Sequence, residues 1–299
     1  MAEITVALIK TLRDKTNAGM MDCKAALAEA GGDITEAETI LRKKGIADAE
    51  KKAGRAAKEG VIASRITDHK SGVLVEVNCE TDFVAKNDNF RAFVENILDH
   101  ISATDDPEDL EKLLAQPYSN DEKQTLSEFI KAKVGELGEN MGLTRYTKFT
   151  LDGEGVVASY IHMQGRVGVL VEVSAGKAAT SKDENFLNFV KDLTLHIAAS
   201  SPLCIERDEV PSELVEAERD IFREQMKDKP ANVIDRIIDG KMGKFYSQQC
   251  LLEQAFVKDG DKTIADLLAE TAKGAGDDLK ITRFVRYAVG EVIDEAGEE

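Results

Sequence analysis

The chain has 299 residues, 42% hydrophobic and 32% charged, with a net charge of −17 at pH 7. That length accommodates two or three ordinary domains, and the negative balance argues against general affinity for nucleic acid, whose phosphates require a positive surface. No run approaches the ~18 consecutive apolar residues of a membrane helix, and Met1–Lys15 lacks the charged-then-apolar plan of a signal peptide.

Residues 3–45 predict three short helices. Ile4, Leu8, Ile9 and Leu12 mark one apolar face at helical spacing. Thr16-Asn17-Ala18-Gly19 interrupts it, and Met20–Ala30 resumes with Met21, Ala25 and Leu27 on the apolar side. Gly31-Gly32 stops the second helix, and Asp33 with Glu36 forms a capping pair for the third, which would bury Ala37, Ile40 and Leu41. So small a core is marginal alone, so this part is expected to lean on a neighbour. Residues 47–58 read as a linker or a helical extension. Residues 1–58 carry eleven Lys/Arg against nine Asp/Glu, leaving 28 against 47 for the remainder. The basic cluster Arg42-Lys43-Lys44 with Lys51, Lys52, Arg55 and Lys58 is either a solvated linker face or a docking surface for an acidic partner.

The rest of the chain repeats itself. With an offset of 96, residues 71–103 match 167–199 at 14 of 33 positions, among them Gly72–Val77, Asn89, Phe90, Phe93 and His100. Upstream, VIASRI at 61–66 matches VVASYI at 156–161, and downstream LTRYTKFTL at 143–151 resembles ITRFVRYAV at 281–289. Each unit therefore predicts two hairpin strands, a helix, further helical sequence and a last strand. The second unit carries extra sequence, in which Glu213–Met226 and Ala231–Gln248 predict an antiparallel helical hairpin joined at Lys229-Pro230. Leu214, Ala217 and Ile221 line one helix; Ile234, Ile237, Ile238 and Phe245 line the other. This hairpin serves packing, a partner, or a second copy of the chain in a homo-oligomer.

Catalytic signals are poor. There is no phosphate-binding glycine loop, nucleophile elbow or H-E-x-x-H. The cysteines Cys23, Cys79, Cys204 and Cys250 are too scattered for a disulfide framework and lack zinc spacing. No metal or cofactor is expected, and the chain reads as cytoplasmic and reduced. His100 and His196 occupy equivalent helical positions and read as structural, His69 falls in a hairpin turn, and His162 has no ligand or triad partner nearby in sequence. A binding protein fits better than an enzyme.

The units diverge at one connection. Cys79-Glu80-Thr81-Asp82-Phe83-Val84-Ala85 in the first corresponds to Ala175-Gly176-Lys177-Ala178-Ala179-Thr180-Ser181 in the second. Either Thr81 or Asp82 caps a short helix with Phe83 folded onto the core, or Phe83 is a hydrophobic probe for a partner's pocket with a carboxylate beside it. The duplicated scaffold does without an aromatic at Ala179, which favours function.

Two stretches carry a resemblance. Thr16-Asn17-Ala18-Gly19-Met20-Met21-Asp22-Cys23-Lys24-Ala25-Ala26-Leu27 with Gly32-Asp33, and Glu76-Val77-Asn78-Cys79-Glu80-Thr81-Asp82-Phe83-Val84-Ala85-Lys86, resemble the two signatures of the bacterial translation elongation factor Ts family. The resemblance implies an α+β fold with a ubiquitin-associated-like three-helix domain over 1–55 and a duplicated core at 56–152 and 153–203. It also implies an inserted hairpin at 204–260, and the last part of the second core unit with a C-terminal strand and short helix at 261–299. It implies guanine nucleotide exchange on elongation factor Tu. Thr81, Asp82, Phe83 and Val84 would dislodge that partner's magnesium, and Met20, Met21 and His162 would be further contacts. A ubiquitin-associated-like scaffold that binds proteins without affecting nucleotide is the alternative.

Overall fold

The computed structural model describes residues 4–16, 18–107, 109–226 and 231–291, with 231–233 by backbone only. Asn17, the Lys229-Pro230 junction and the expected C-terminal short helix lie outside these residues. The first helices are α1 (Val6–Thr16), α2 (Met20–Glu29) and α3 (Ile34–Lys52). Gly31 and Gly32 adopt φ of 60° and 93°, the left-handed turn that ends a helix at little cost only for glycine. Asp33 then caps α3 by accepting the Glu36 N–H at 2.9 Å. Leu12, Cys23, Leu27 and Ala37 form the small core. The inner face of α2 is Cys23, Ala26 and Leu27, whereas Met21 and Ala25 point outward, correcting the expected face by about one position. The error has a simple cause: Cys23 and Ala26 are small and carry a weak periodic signal. The linker is helical only to Lys52.

The first repeat unit contains β1 (Glu59–Thr67), β2 (Ser71–Cys79), α4 (Asp82–Ala85), α5 (Asp88–Ala103), α6 (Leu110–Ala115), β3 (Pro117–Tyr118), β4 (Asp121–Thr125), α7 (Leu126–Leu137) and β5 (Met141–Thr150). The second contains β6 (Gly155–His162), β7 (Val167–Ala175), α8 (Glu184–Ser200), α9 (Ser212–Gln225), α10 (Ala231–Gln249), β8 (Ala255–Phe256), β9 (Asp259–Thr263), α11 (Ile264–Ala275) and β10 (Leu279–Ala288). Among the described residues this is a mixed fold of eleven α-helices and small antiparallel sheets, ordered β1-β2-β5, β6-β7-β10, β3-β4 and β8-β9. The central strands β2 and β7 are buried almost throughout, which explains their unbroken apolar runs. Phe90, Phe93, Ile97 and Ile101 of α5 cover one sheet, and Phe186, Phe189, Leu193 and Ile197 of α8 cover the other.

The two large sheets meet across a seam with local two-fold symmetry. Ile62, Leu74 and Phe149 pack there against Val157, Leu170 and Tyr287, which stand at the equivalent places of the other unit. The turns reach across reciprocally: the Ile62 N–H donates to the Gly165 carbonyl at 2.8 Å, and the Val157 N–H to the His69 carbonyl at 2.7 Å. Ser64 and Ser159, themselves equivalent, share a hydroxyl–hydroxyl hydrogen bond of 2.9 Å. Buried Glu76 and Glu172 pair with Arg145 and Arg283, whose guanidinium groups stack over Tyr287 and Phe149 of the opposite sheet at 4.0 and 4.2 Å.

Helices α9 and α10 pack together through Val215, Phe222, Ile234, Ile238, Met242 and Phe245. Leu214 and Ile221, assigned to the packed face of α9 from spacing, are exposed, as is Ala217. The apolar residues of α9 cover two faces, so periodicity alone does not decide which of them meets α10.

Candidate partner-binding site

The divergent connection forms a single helical turn, α4, rather than an open loop. Thr81 begins it in extended conformation and its hydroxyl accepts the Val84 N–H at 3.4 Å. A second clamp comes from Glu139, just beyond the C-cap glycine of α7. Its carboxylate accepts the Glu80 and Thr81 N–H groups at 3.1 and 3.0 Å and the Thr81 hydroxyl at 2.6 Å. Ala85 is buried and Val84 packs against the core, so one face of the turn is fixed.

Phe83 lies on the other face. It is 83% exposed, the most exposed large apolar side chain among the described residues. Capping and display, set against each other as alternative readings of the sequence, are therefore both realised: Thr81 caps, and Phe83 does not fold back. A ring held in water forgoes the ~1.5–3 kcal/mol that burial of such a side chain yields. Asp82 beside it is paired with Lys86 at 2.6 Å across one helical turn, and this hydrogen bond holds its carboxyl below the usual range. The Glu80 carboxyl is likewise lowered, first by the Asn140 N–H it accepts at 2.6 Å and further by Arg55. Both carboxylates are therefore charged at neutral pH. The neighbouring Cys79 donates its thiol to the Thr81 carbonyl at 3.2 Å, and burial pushes its pKa up to about 12. It is a packed thiol and not an activated one.

Glu139 does not stand out in the sequence on its own. Its equivalent, Asp277, accepts the Lys177 N–H at 3.0 Å and the Thr180 hydroxyl at 2.6 Å in the second unit. Continuing the alignment of the last strands a few residues upstream pairs Gly138-Glu139 with Gly276-Asp277, and that is the signal that would have revealed it. The clamp was kept in both units, while the displayed aromatic occurs in one.

The connection from the N-terminal helices ends at the same place. Arg55 pairs with Glu80 at 3.4 Å, and the Asn140 amide donates to the Arg55 carbonyl at 2.7 Å. A family model described as Elongation factor TS matches residues 80–291, from the clamped turn to the end of the second unit. The chain belongs to the elongation factor Ts family. It is 44% identical over 294 residues to Elongation factor Ts of Trichlorobacter lovleyi, covering 97% of this chain and 94% of that protein. It is also 44% identical over 302 residues to Elongation factor Ts of Nitratiruptor sp., covering 99% and 96%, and 43% identical over 298 residues to that of Clostridium botulinum, with the same coverage.

The remaining residues proposed for this elongation factor Ts chain lie elsewhere. Met20 and Met21 are exposed at the start of α2, Met21 by 74%. His162 ends β6, where its Nδ1 and the Tyr160 hydroxyl share a 2.9 Å hydrogen bond. The next two residues, Met163 and Gln164, take φ of 48° and 58°, and Met163 is exposed. Among the described residues no hydrogen bond, ion pair or ring contact joins Met20, Met21 or His162 to Thr81–Val84. No group of described His, Cys, Asp and Glu side chains is arranged to hold a metal ion, and no described helix is long and apolar enough to cross a membrane.

Proposed function

We propose that this chain is a guanine nucleotide exchange factor for elongation factor Tu, with Phe83 as a wedge and Asp82 as a charged probe at that GTPase's magnesium site. Family membership supports the exchange activity. The observation that carries the wedge is Phe83 itself, exposed on a turn whose base Glu139 and Thr81 hold in place. Magnesium demands near-ideal octahedral geometry and bridges nucleotide phosphates to protein ligands, so a small displacement of those ligands weakens the nucleotide.

Burial of the Phe83 ring in the partner contributes ~1.5–3 kcal/mol. A ~1000-fold faster release requires ~4 kcal/mol off the barrier, so other surfaces contribute. We assign that role to residues 1–55, read as a ubiquitin-associated-like docking domain presenting Met20 and Met21, and to the His162 turn. In this reading the core units are 56–152 and 153–203 with 261–299, and 204–260 is an insertion. Nucleotide and exchanger weaken each other's binding by the same factor, so rebinding of nucleotide expels the exchanger. No covalent bond is broken, and the working compartment is the cytoplasm.

The test is release of fluorescent GDP from elongation factor Tu. Phe83→Ala should lower stimulated release about 10- to 100-fold, the equivalent of the lost burial, with an unchanged circular dichroism spectrum. Wild-type rates from a folded variant would refute the wedge.

A further inference from the structure

The site just described uses neither Cys204 nor Cys250. Cys204 follows α8, Cys250 follows α10, and the two flank the root of the α9–α10 pair. They are direct partners in a parallel β-bridge, bounded by Leu203 N–H donating to the Gln249 carbonyl at 2.8 Å and Leu251 N–H donating to the Cys204 carbonyl at 2.9 Å. Their sulfur atoms lie 3.8 Å apart. Adjacent strands run about 4.7–4.9 Å apart, within the ~4.4–6.8 Å range of Cα separations that a disulfide spans. Closing the sulfurs to the bonded ~2.05 Å requires a movement of about 1.8 Å, within reach of side-chain rotation. Cys204 also donates to the Glu206 carbonyl at 3.1 Å, much as Cys23 and Cys79 donate to backbone carbonyls, but no thiol neighbours those two.

The two thiols also differ in access. Both are buried, Cys250 completely and Cys204 at 7% exposure, and Cys204 alone of the two lines a groove of about 520 Å³ between Pro202–Ile205 and β10, with Arg283 and Arg286 on its wall. A small oxidant entering the groove meets Cys204 first, with Cys250 behind it. We infer that Cys204 and Cys250 are a dithiol–disulfide couple, oxidised by peroxides, that fastens the root of the α9–α10 pair. The Cys204 thiolate attacks one peroxide oxygen, the O–O bond breaks, hydroxide leaves, and Cys204 becomes a sulfenic acid. The Cys250 thiolate then attacks the Cys204 sulfur, the S–O bond breaks and the S–S bond forms, releasing a second hydroxide. With the two thiol protons the balance is two thiols oxidised and one peroxide reduced to two waters.

The surroundings set the pace. Burial, the neighbouring Cys250 and the carboxylates of Glu209 and Asp208 push the Cys204 thiol up to about 12. Glu253 adds to the negative surroundings of Cys250, against Arg207. Oxidation should therefore be slow at neutral pH and accelerate about tenfold per pH unit between about pH 7 and 9, as the thiolate fraction rises.

The experiment exposes the full reduced chain to hydrogen peroxide, alkylates remaining thiols after unfolding, and maps the peptides by mass. We expect a cross-link between Cys204 and Cys250 within one chain, reversed by dithiothreitol, with Cys23 and Cys79 still alkylated. In Cys250→Ser, Cys204 should accumulate as a sulfenic acid trapped by dimedone; in Cys204→Ser, Cys250 should stay alkylatable. The proposal is overturned if wild-type protein with a native circular dichroism spectrum loses free thiols to peroxide without forming the Cys204–Cys250 cross-link. It is equally overturned if Cys204 goes on to the sulfinic acid without the cross-link, or if the rate is flat with pH.

Discussion

At the level of single residues, duplication supplies an internal control. His100 and His196 are equivalent and both completely buried. In the second unit His196 shares a 2.8 Å hydrogen bond with the Gln254 side-chain oxygen and accepts the Val257 N–H. In the first, His100 accepts the Ser119 N–H, but its Nε2 and the side-chain oxygen of Gln116, which stands where Gln254 stands, have no protein partner. Gln254→Leu should therefore cost about 1–3 kcal/mol by stranding a buried His196 nitrogen, and Gln116→Leu distinctly less, as read by urea unfolding. Burial lowers the pKa of both histidines. The unfolded chain, with histidine near its ordinary ~6.5, then binds more protons than the folded one between that value and the depressed folded value. Stability present above ~6.5 is lost as pH falls through that window. Urea midpoints should drop between about pH 7.5 and 5.5, and replacing both histidines with glutamine should flatten that drop.

Among the elements, those with strong periodic patterns were legible: the hairpin strands, α5, α8 and the capped start of α3 all follow from spacing and repetition. The short elements were not. Strands β3 and β8 have two residues each, and α4 is a single turn, too brief for a hydrophobic period to register. The mode of attachment of the N-terminal helices was also hidden, because it depends on the absence of side chains. A Cβ on Gly135 of α7 would lie 2.5 Å from the Gly45 Cα of α3, and one on Gly45 would meet the Ala132 carbonyl oxygen at 3.3 Å. The two backbones touch, and the expectation that the small domain leans on a neighbour is met through this crossing. Backbone cannot yield as a side-chain tip does, so Gly135→Ala should force α3 away at a cost of roughly 1–3 kcal/mol. Limited proteolysis between Ala53 and Lys58, where the chain is not helical, should then accelerate relative to wild type, and an unchanged cleavage rate would count against this crossing as the attachment.

Over the whole molecule, the repeat predicted two units but not how they meet, since the residues at the seam read equally well as the inner faces of two independent sheets. The structure places two symmetry-related glycines there. A Cβ on Gly72 would come within 2.7 Å of both Leu170 and Val157, and one on Gly168 would clash with Ile62 and approach Leu74 at 3.0 Å. One obstacle at each is a neighbour in the same sheet, Ile66 at 2.8 Å and Ile161 at 3.1 Å, and the others are side chains of the opposite unit, so each glycine helps set the spacing between the sheets. Gly72→Ala and Gly168→Ala should each destabilise the chain by roughly 1–3 kcal/mol, the range for overpacking a filled core, and by similar amounts because their surroundings are equivalent. Their combination should cost less than the sum, since the first substitution already opens the gap that the second needs. Because β2 and β7 each give alternate residues to the seam and to the core of their own unit, unfolding of each variant should remain one cooperative transition, with fluorescence and circular dichroism coinciding. Fully additive losses would mean that each sheet adjusts alone; two separated transitions would mean that the seam does not bind the units into one folding body.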